Sequence, residues 1–109
     1  MQPQDSNATQ LSFQAGRRVS IERARTIADG LVVTRPGELT FSVIQRLVGS
    51  VVVVKEASIR RAVCRCLLEE KLVVEPSGAA PLAAALEGKV PLRQAVLVLG
   101  GAMSSRLWW

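Results

Sequence analysis

Apolar positions along this chain fall into two rhythms that alternate from one end to the other. One rhythm is helical. Residues 8–16, "ATQLSFQAG", suit a short helix stopped by Gly16. In "RPGELTFSVIQRLVGS", Pro36 suits a first helical turn, and Val43, Ile44, Leu47 and Val48 continue an apolar face begun by Leu39 and Thr40. Gly49 closes it. Residues 56–70 predict a third helix whose buried stripe is Ile59, Ala62, Val63, Cys66 and Leu67, with Arg60, Arg61, Arg65 and Glu69 on the wet side. Pro76 opens a fourth helix that runs to Gly88, with Pro81 delaying its start or bending it.

The other rhythm is that of buried strands. "VVVV" (51–54) is β-branched without polar alternation, which predicts a strand covered on both faces. "LVV" (72–74) reads as a short extended piece and "QAVLVLGG" (94–101) as a buried strand ending in a glycine turn. "RRVSIERART" shows no period and reads as a loop; "IADGLVV" puts an Asp-Gly turn before a short apolar run. Residues 1–8 read as an irregular, frayed lead. Helices alternating with strands predict a single α/β domain with a parallel sheet.

Composition agrees. Of 109 residues 49% are hydrophobic but only 4% aromatic, so the core is built from Val, Leu, Ile and Ala. The net charge of +5 is scattered, with acids at Glu22, Asp29, Glu38 and Glu56 between the arginines. Nucleic-acid binders concentrate basic charge on one face, so no such partner is expected. With no histidine there is no Ser–His or Cys–His nucleophile. Cys64 and Cys66 have no second pair to complete a zinc site, and free thiols fit a reducing, cytoplasmic setting. The start of the chain lacks the apolar core of a signal peptide, and the apolar runs are too short for a membrane span. Trp108 and Trp109 stand at the very end, either packed back on the domain or exposed as an apolar patch.

Candidate chemistry gathers at segment junctions. Glu75 ends an apolar stretch just before a helix start. That is where α/β ligands bind, and equally where a carboxylate complements a helix N-terminus. Asp29-Gly30 is either a turn or a close approach to a ligand; Glu38 and Ser77 suit first-turn roles, Ser77 as an anion donor or as a local cap. Gly100–Gly101 follows the last predicted strand and lets the backbone come near a ligand, but forms no nucleotide-binding signature.

Four segments, "TIADGL" (26–31), "RPGELTF" (35–41), "VVVVKEASIRRAV" (51–63) and "KLVVEPSGAA" (71–80), resemble in order and spacing the C-terminal part of serine/threonine dehydratases, relatives of serine racemase that depend on pyridoxal phosphate. The likeness runs over about residues 6–99. It implies the C-terminal portion of a fold-type II enzyme, a partial three-layer arrangement of parallel sheet and flanking helices. The implied reaction is loss of water from serine or threonine, giving a 2-oxo acid and ammonia, with a small amino acid as substrate. The resemblance places Gly30 and Glu75 beside the cofactor ring. In the family a lysine carries the cofactor and a glycine-rich loop holds its phosphate, both upstream of "TIADGL". None of Lys55, Lys71 and Lys89 lies in such a motif, so the chain alone is expected to be inactive. A complementing N-terminal chain or a homo-oligomer is the implied partner. The family's last strand usually leads into a serine that bonds the pyridine nitrogen; here that serine is either replaced by Gly100 or deleted, and from 102 to 109 the tail departs from the family. Some members bind a divalent cation near a Glu-Pro pair; Gln2-Pro3 stands at the corresponding place and no metal is expected. A piece of a larger sheet is also expected to aggregate or pack loosely unless it oligomerises.

Overall fold

The computed structural model describes residues 1–100; the expectations for Gly101, for the tail and for the two tryptophans lie outside them. Strand β1 (Gln2–Pro3) pairs in parallel with β2 (Val53–Val54), Gln2 opposite Val53 and Pro3 opposite Val54. Helices α1 (Ala8–Ala15), α2 (Glu38–Leu47), α3 (Glu56–Leu68) and α4 (Pro76–Leu86) surround the pair, and a 3-10 turn covers Asp29–Leu31. The α/β class and the parallel pairing are those the sequence predicts.

The core is the seam between α3 and α4. Ile59, Ala62 and Cys66 from α3 and Ala79, Ala80, Ala83 and Ala84 from α4 are buried. Alanine lets the two backbones approach, while Ile59 and Val54 are the largest side chains fully enclosed. Ala28 joins this cluster and draws the segment before the 3-10 turn onto α4. Pro76 occupies the first turn of α4, where its missing N–H costs nothing. Pro81 lies inside the helix and removes one bond, that to the Ser77 carbonyl, without ending it.

Backbone groups on both outer edges of the two-stranded sheet are partly engaged. On the β1 side, Pro3 has no N–H to offer, and its carbonyl accepts the Ser6 N–H at 3.1 Å. On the β2 side, Lys89 Nζ donates to the Val53 carbonyl at 2.7 Å and the Lys55 N–H donates to Glu87 Oε1 at 2.7 Å. Glu87 and Lys89 are themselves paired at 2.6 Å. Thus two side chains from the end of α4 and the turn after it occupy backbone groups that a neighbouring strand would take. The Glu87 carboxylate is largely withdrawn from water, which raises its pKa; hydrogen bonds from Lys89, the Lys55 amide and Ser58, with the Lys89 charge, outweigh this and hold it at about 2.

Several expectations change. Residues 1–8 are not frayed: Gln2 and Pro3 form a strand, and the fully buried Ser6 hydroxyl donates to the Leu31 carbonyl at 2.6 Å and accepts the Val33 N–H at 3.2 Å. Helix α2 starts at Glu38 rather than at Pro36, and it buries Phe41 while Leu39, Val43 and Leu47 face outward. Of the four valines at 51–54 only Val54 is fully buried. Residues 72–74 pair with no strand, and Val73 is 72% exposed. Residues 94–100 likewise form no strand; Val96 is 89% exposed and Val98 73%. An apolar β-branched run is a strand only when a neighbour supplies hydrogen bonds and cover, and no described residue does so here. The loop at 17–26, the Gly16 stop in a left-handed conformation and the burial of Cys66 are as expected.

Candidate functional site

The N-terminal turn of α4 gathers the residues singled out in the sequence. Glu75 is its N-cap residue, with extended backbone, and its carbonyl accepts the Ala79 N–H at 3.1 Å. Its carboxylate makes no capping hydrogen bond to α4. Instead Oε1 lies 4.0 Å from the point where a Cβ on Gly30 would stand. Glu75 thus stands at the positive end of α4 without capping it by a hydrogen bond, and the side chain reaches towards the Asp29–Leu31 turn.

Ser77, two residues on, is also no local cap. Its Oγ accepts the Gly30 N–H at 3.0 Å, a bond across 47 residues, and the same N–H is shared with Asp29 Oδ1 at 2.9 Å. Gly30 is exposed, Glu75 and Ser77 half-buried. Gly100 completes the group from the far end of the described chain. A Cβ on the buried Gly78 would overlap the Gly100 carbonyl oxygen and stand 3.1 Å from Val74 Cγ1. The tight approach of two glycine backbones thus seats residue 100 against the foot of α4. Gly30, Glu75 and Gly100 lie far apart in the chain and meet at one helix end.

Other candidates lie elsewhere. Glu38 is 3.9 Å from Arg18, with its side chain 90% exposed. Cys64 lines a shallow groove of about 410 Å³ with Arg60, Arg61, Arg65 and Glu69 on the outer face of α3. Two of the three lysine amines are engaged away from Gly30: Lys71 Nζ donates to the Leu68 carbonyl at 2.7 Å, and Lys89 binds Glu87 and Val53. Glu56 went unnoticed in the sequence as more than a helix-start acid. Its Oε2 accepts the Ile27 N–H at 3.1 Å and so ties the segment leading into the Asp29–Leu31 turn to α3.

Open parallel α/β folds take ligands beyond the carboxyl ends of their strands, and the polar cluster here lies where the extended segment 72–74 meets α4. The family of pyridoxal-phosphate dependent enzymes matches residues 1–101, and the chain belongs to it. L-threonine ammonia-lyase of Geobacter sulfurreducens is 44% identical over 79 residues, which is 72% of this chain and 20% of that protein. Catabolic L-threonine dehydratase of Escherichia coli K12 is 32% identical over 105 residues, 93% of this chain and 32% of the relative. Among solved structures, a threonine deaminase from T.th. superposes with a TM-score of 0.78 at 36% identity, over 82% of this chain and 34% of that one. Maize serine racemase gives 0.74 at 40% identity, over 78% and 26%. The chain spans about a fifth of the first of these two curated relatives and a third of the second.

Proposed function

We propose that this chain forms the ring-facing wall of a pyridoxal-phosphate pocket in an enzyme acting on threonine or serine, and that the amine carrying the cofactor comes from residues outside these 109. The observation that carries the reading is the Glu75 side chain, which leaves its own helix uncapped and brings Oε1 to 4.0 Å from the side-chain position of Gly30. The names of the relatives, threonine ammonia-lyase, threonine dehydratase and serine racemase, support the substrate class.

The residues present fit one side of such a group. Gly30 leaves a surface without a Cβ, Glu75 contributes acceptor oxygens beside it, and Gly100 adds backbone without a hydroxyl. Pyridoxal phosphate, when bound, supplies the electron sink for chemistry at an amino-acid α-carbon. The chain's own part is to bind one flank, orient it and exclude water there. Lys71 and Lys89 donate instead to the Leu68 and Val53 carbonyls. A second chain, or a second copy of this one, joins through residues 95–99, whose backbone makes no backbone–backbone hydrogen bond among the described residues.

Equilibrium dialysis against pyridoxal phosphate tests the wall, and a 2-oxo acid assay with threonine tests the missing amine. The purified chain binds the cofactor reversibly, Glu75→Ala weakens binding, and no 2-oxo acid forms. Binding indifferent to Glu75→Ala, or turnover by this chain by itself, overturns the reading.

A further inference from the structure

We propose that Ser77 is the positioning residue of the Gly30–Glu75 wall, holding the Gly30 backbone so close to α4 that a side chain there would press on Ser77. This rests on the pocket reading above but is tested apart from it. Two physical reasons call for a glycine: a left-handed backbone or a close approach. The first does not apply, since the glycines with positive φ are Gly16 and Gly88 and Gly30 is not among them. Close approach remains, and among the described residues the nearest approaching atoms are those of Ser77. A Cβ on Gly30 would stand 2.8 Å from Ser77 Oγ and 3.3 Å from Ser77 Cβ, well inside ordinary contact, against 4.0 Å from Glu75 Oε1.

Ser77 is well suited to set this spacing. It sits in the first turn of α4, behind a proline and one residue ahead of the buried run Gly78–Ala80, so its Cα is fixed by the packing of α4 against the core. The Asp29–Leu31 turn is three residues long and rests on the Ser6 hydroxyl at one end, through the Leu31 carbonyl. The bond from the Gly30 N–H to Ser77 Oγ draws this turn onto α4. The Glu75 side chain reaches to the same place. Ser77 thereby fixes the distance between the turn and the carboxylate without itself being a catalytic residue.

The test is a double-mutant cycle on the whole chain with Gly30→Ala, Ser77→Ala and both together, read by urea midpoint, by hydrogen exchange at the Gly30 amide and by pyridoxal-phosphate dialysis. Gly30→Ala lowers the midpoint, and adding Ser77→Ala recovers most of the loss because the clashing oxygen is gone. In Ser77→Ala alone, the Gly30 amide exchanges about threefold to tenfold faster, the range for one net hydrogen bond partly backed by Asp29. Cofactor affinity falls by a similar factor and is restored by Ser77→Thr, which keeps the hydroxyl. If Gly30→Ala does not fold, the Ser77→Ala exchange and dialysis data decide. An additive cycle, unchanged exchange at Gly30, or undiminished cofactor affinity in Ser77→Ala overturns the proposal. A wild-type chain that binds no cofactor removes the pocket reading and the wall role with it, while a non-additive cycle still establishes the Gly30–Ser77 contact.

Discussion

Replacing Glu87 by glutamine removes a charge at the junction where the outer edge of β2, the start of α3 and the end of α4 meet. The wild-type carboxylate accepts the Lys55 N–H at 2.7 Å and pairs with Lys89 at 2.6 Å, and its side chain is 11% exposed. Lys55 is the N-cap residue of α3, which has no side-chain cap of its own, so Glu87 also places a negative charge at that helix's positive end. Its pKa falls from 4.5 to about 2 on folding. At about 1.4 kcal/mol per tenfold change in proton affinity, this difference is worth at most about 3.5 kcal/mol. The partner Lys89 is 38% exposed, so water screens the pair and about 1–2 kcal/mol is the expected contribution. Because the folded pKa is depressed, this stability is fully present above the unfolded pKa of 4.5 and is lost as pH falls through about 2. Urea midpoints of wild type and Glu87→Gln, measured at several pH values between 7 and 2, isolate the effect from the other carboxylates. The gap between the two proteins is constant above pH 5 and closes towards pH 2. A gap that does not change with pH refutes the assignment of the stabilisation to this ionised carboxylate.

Two further outcomes follow from burial and exposure. Ile59→Ala empties a fully enclosed site in the α3–α4 seam and costs about 2–5 kcal/mol by urea unfolding, enough to abolish the cooperative transition of so small a core. Arg65→Ala breaks a bidentate contact with Glu69 whose two side chains are about half exposed, and it leaves the urea midpoint unchanged within error.

Helices were the most legible part of the fold. Of the predicted stripe, Ile59, Ala62 and Cys66 are buried and Val63 is half-buried, while Leu67 at the edge of the face is 49% exposed, because α3 packs on α4 along a band narrower than the apolar spacing. Helix α2 misled. Leu39, Val43 and Leu47 keep a clean helical spacing, yet Phe41 is the residue turned inward. Periodicity reports that a helix has an apolar side without saying which neighbour meets it, and α2 has apolar residues on two sides. The strands misled for another reason. Val96 and Val98 have the composition of a buried strand, but pairing needs a second backbone, which composition does not supply. Polar Ser6 gave no signal of burial, since the groups its hydroxyl binds, at Leu31 and Val33, lie 25 residues or more away.

The same division applies to the site. Motif order and apolar period are local properties of the chain. They were enough for the family, for the order of the four helices and for marking Gly30, Glu75 and Gly100 as residues of interest. Packing in three dimensions brought these three to one end of α4, set Ser77 against Gly30, and engaged the outer edge of β2 with Glu87 and Lys89. Each of those facts concerns a distance between residues remote in sequence. Such distances are set by how α4 packs against α3 and the Asp29–Leu31 turn, and no local pattern encodes them.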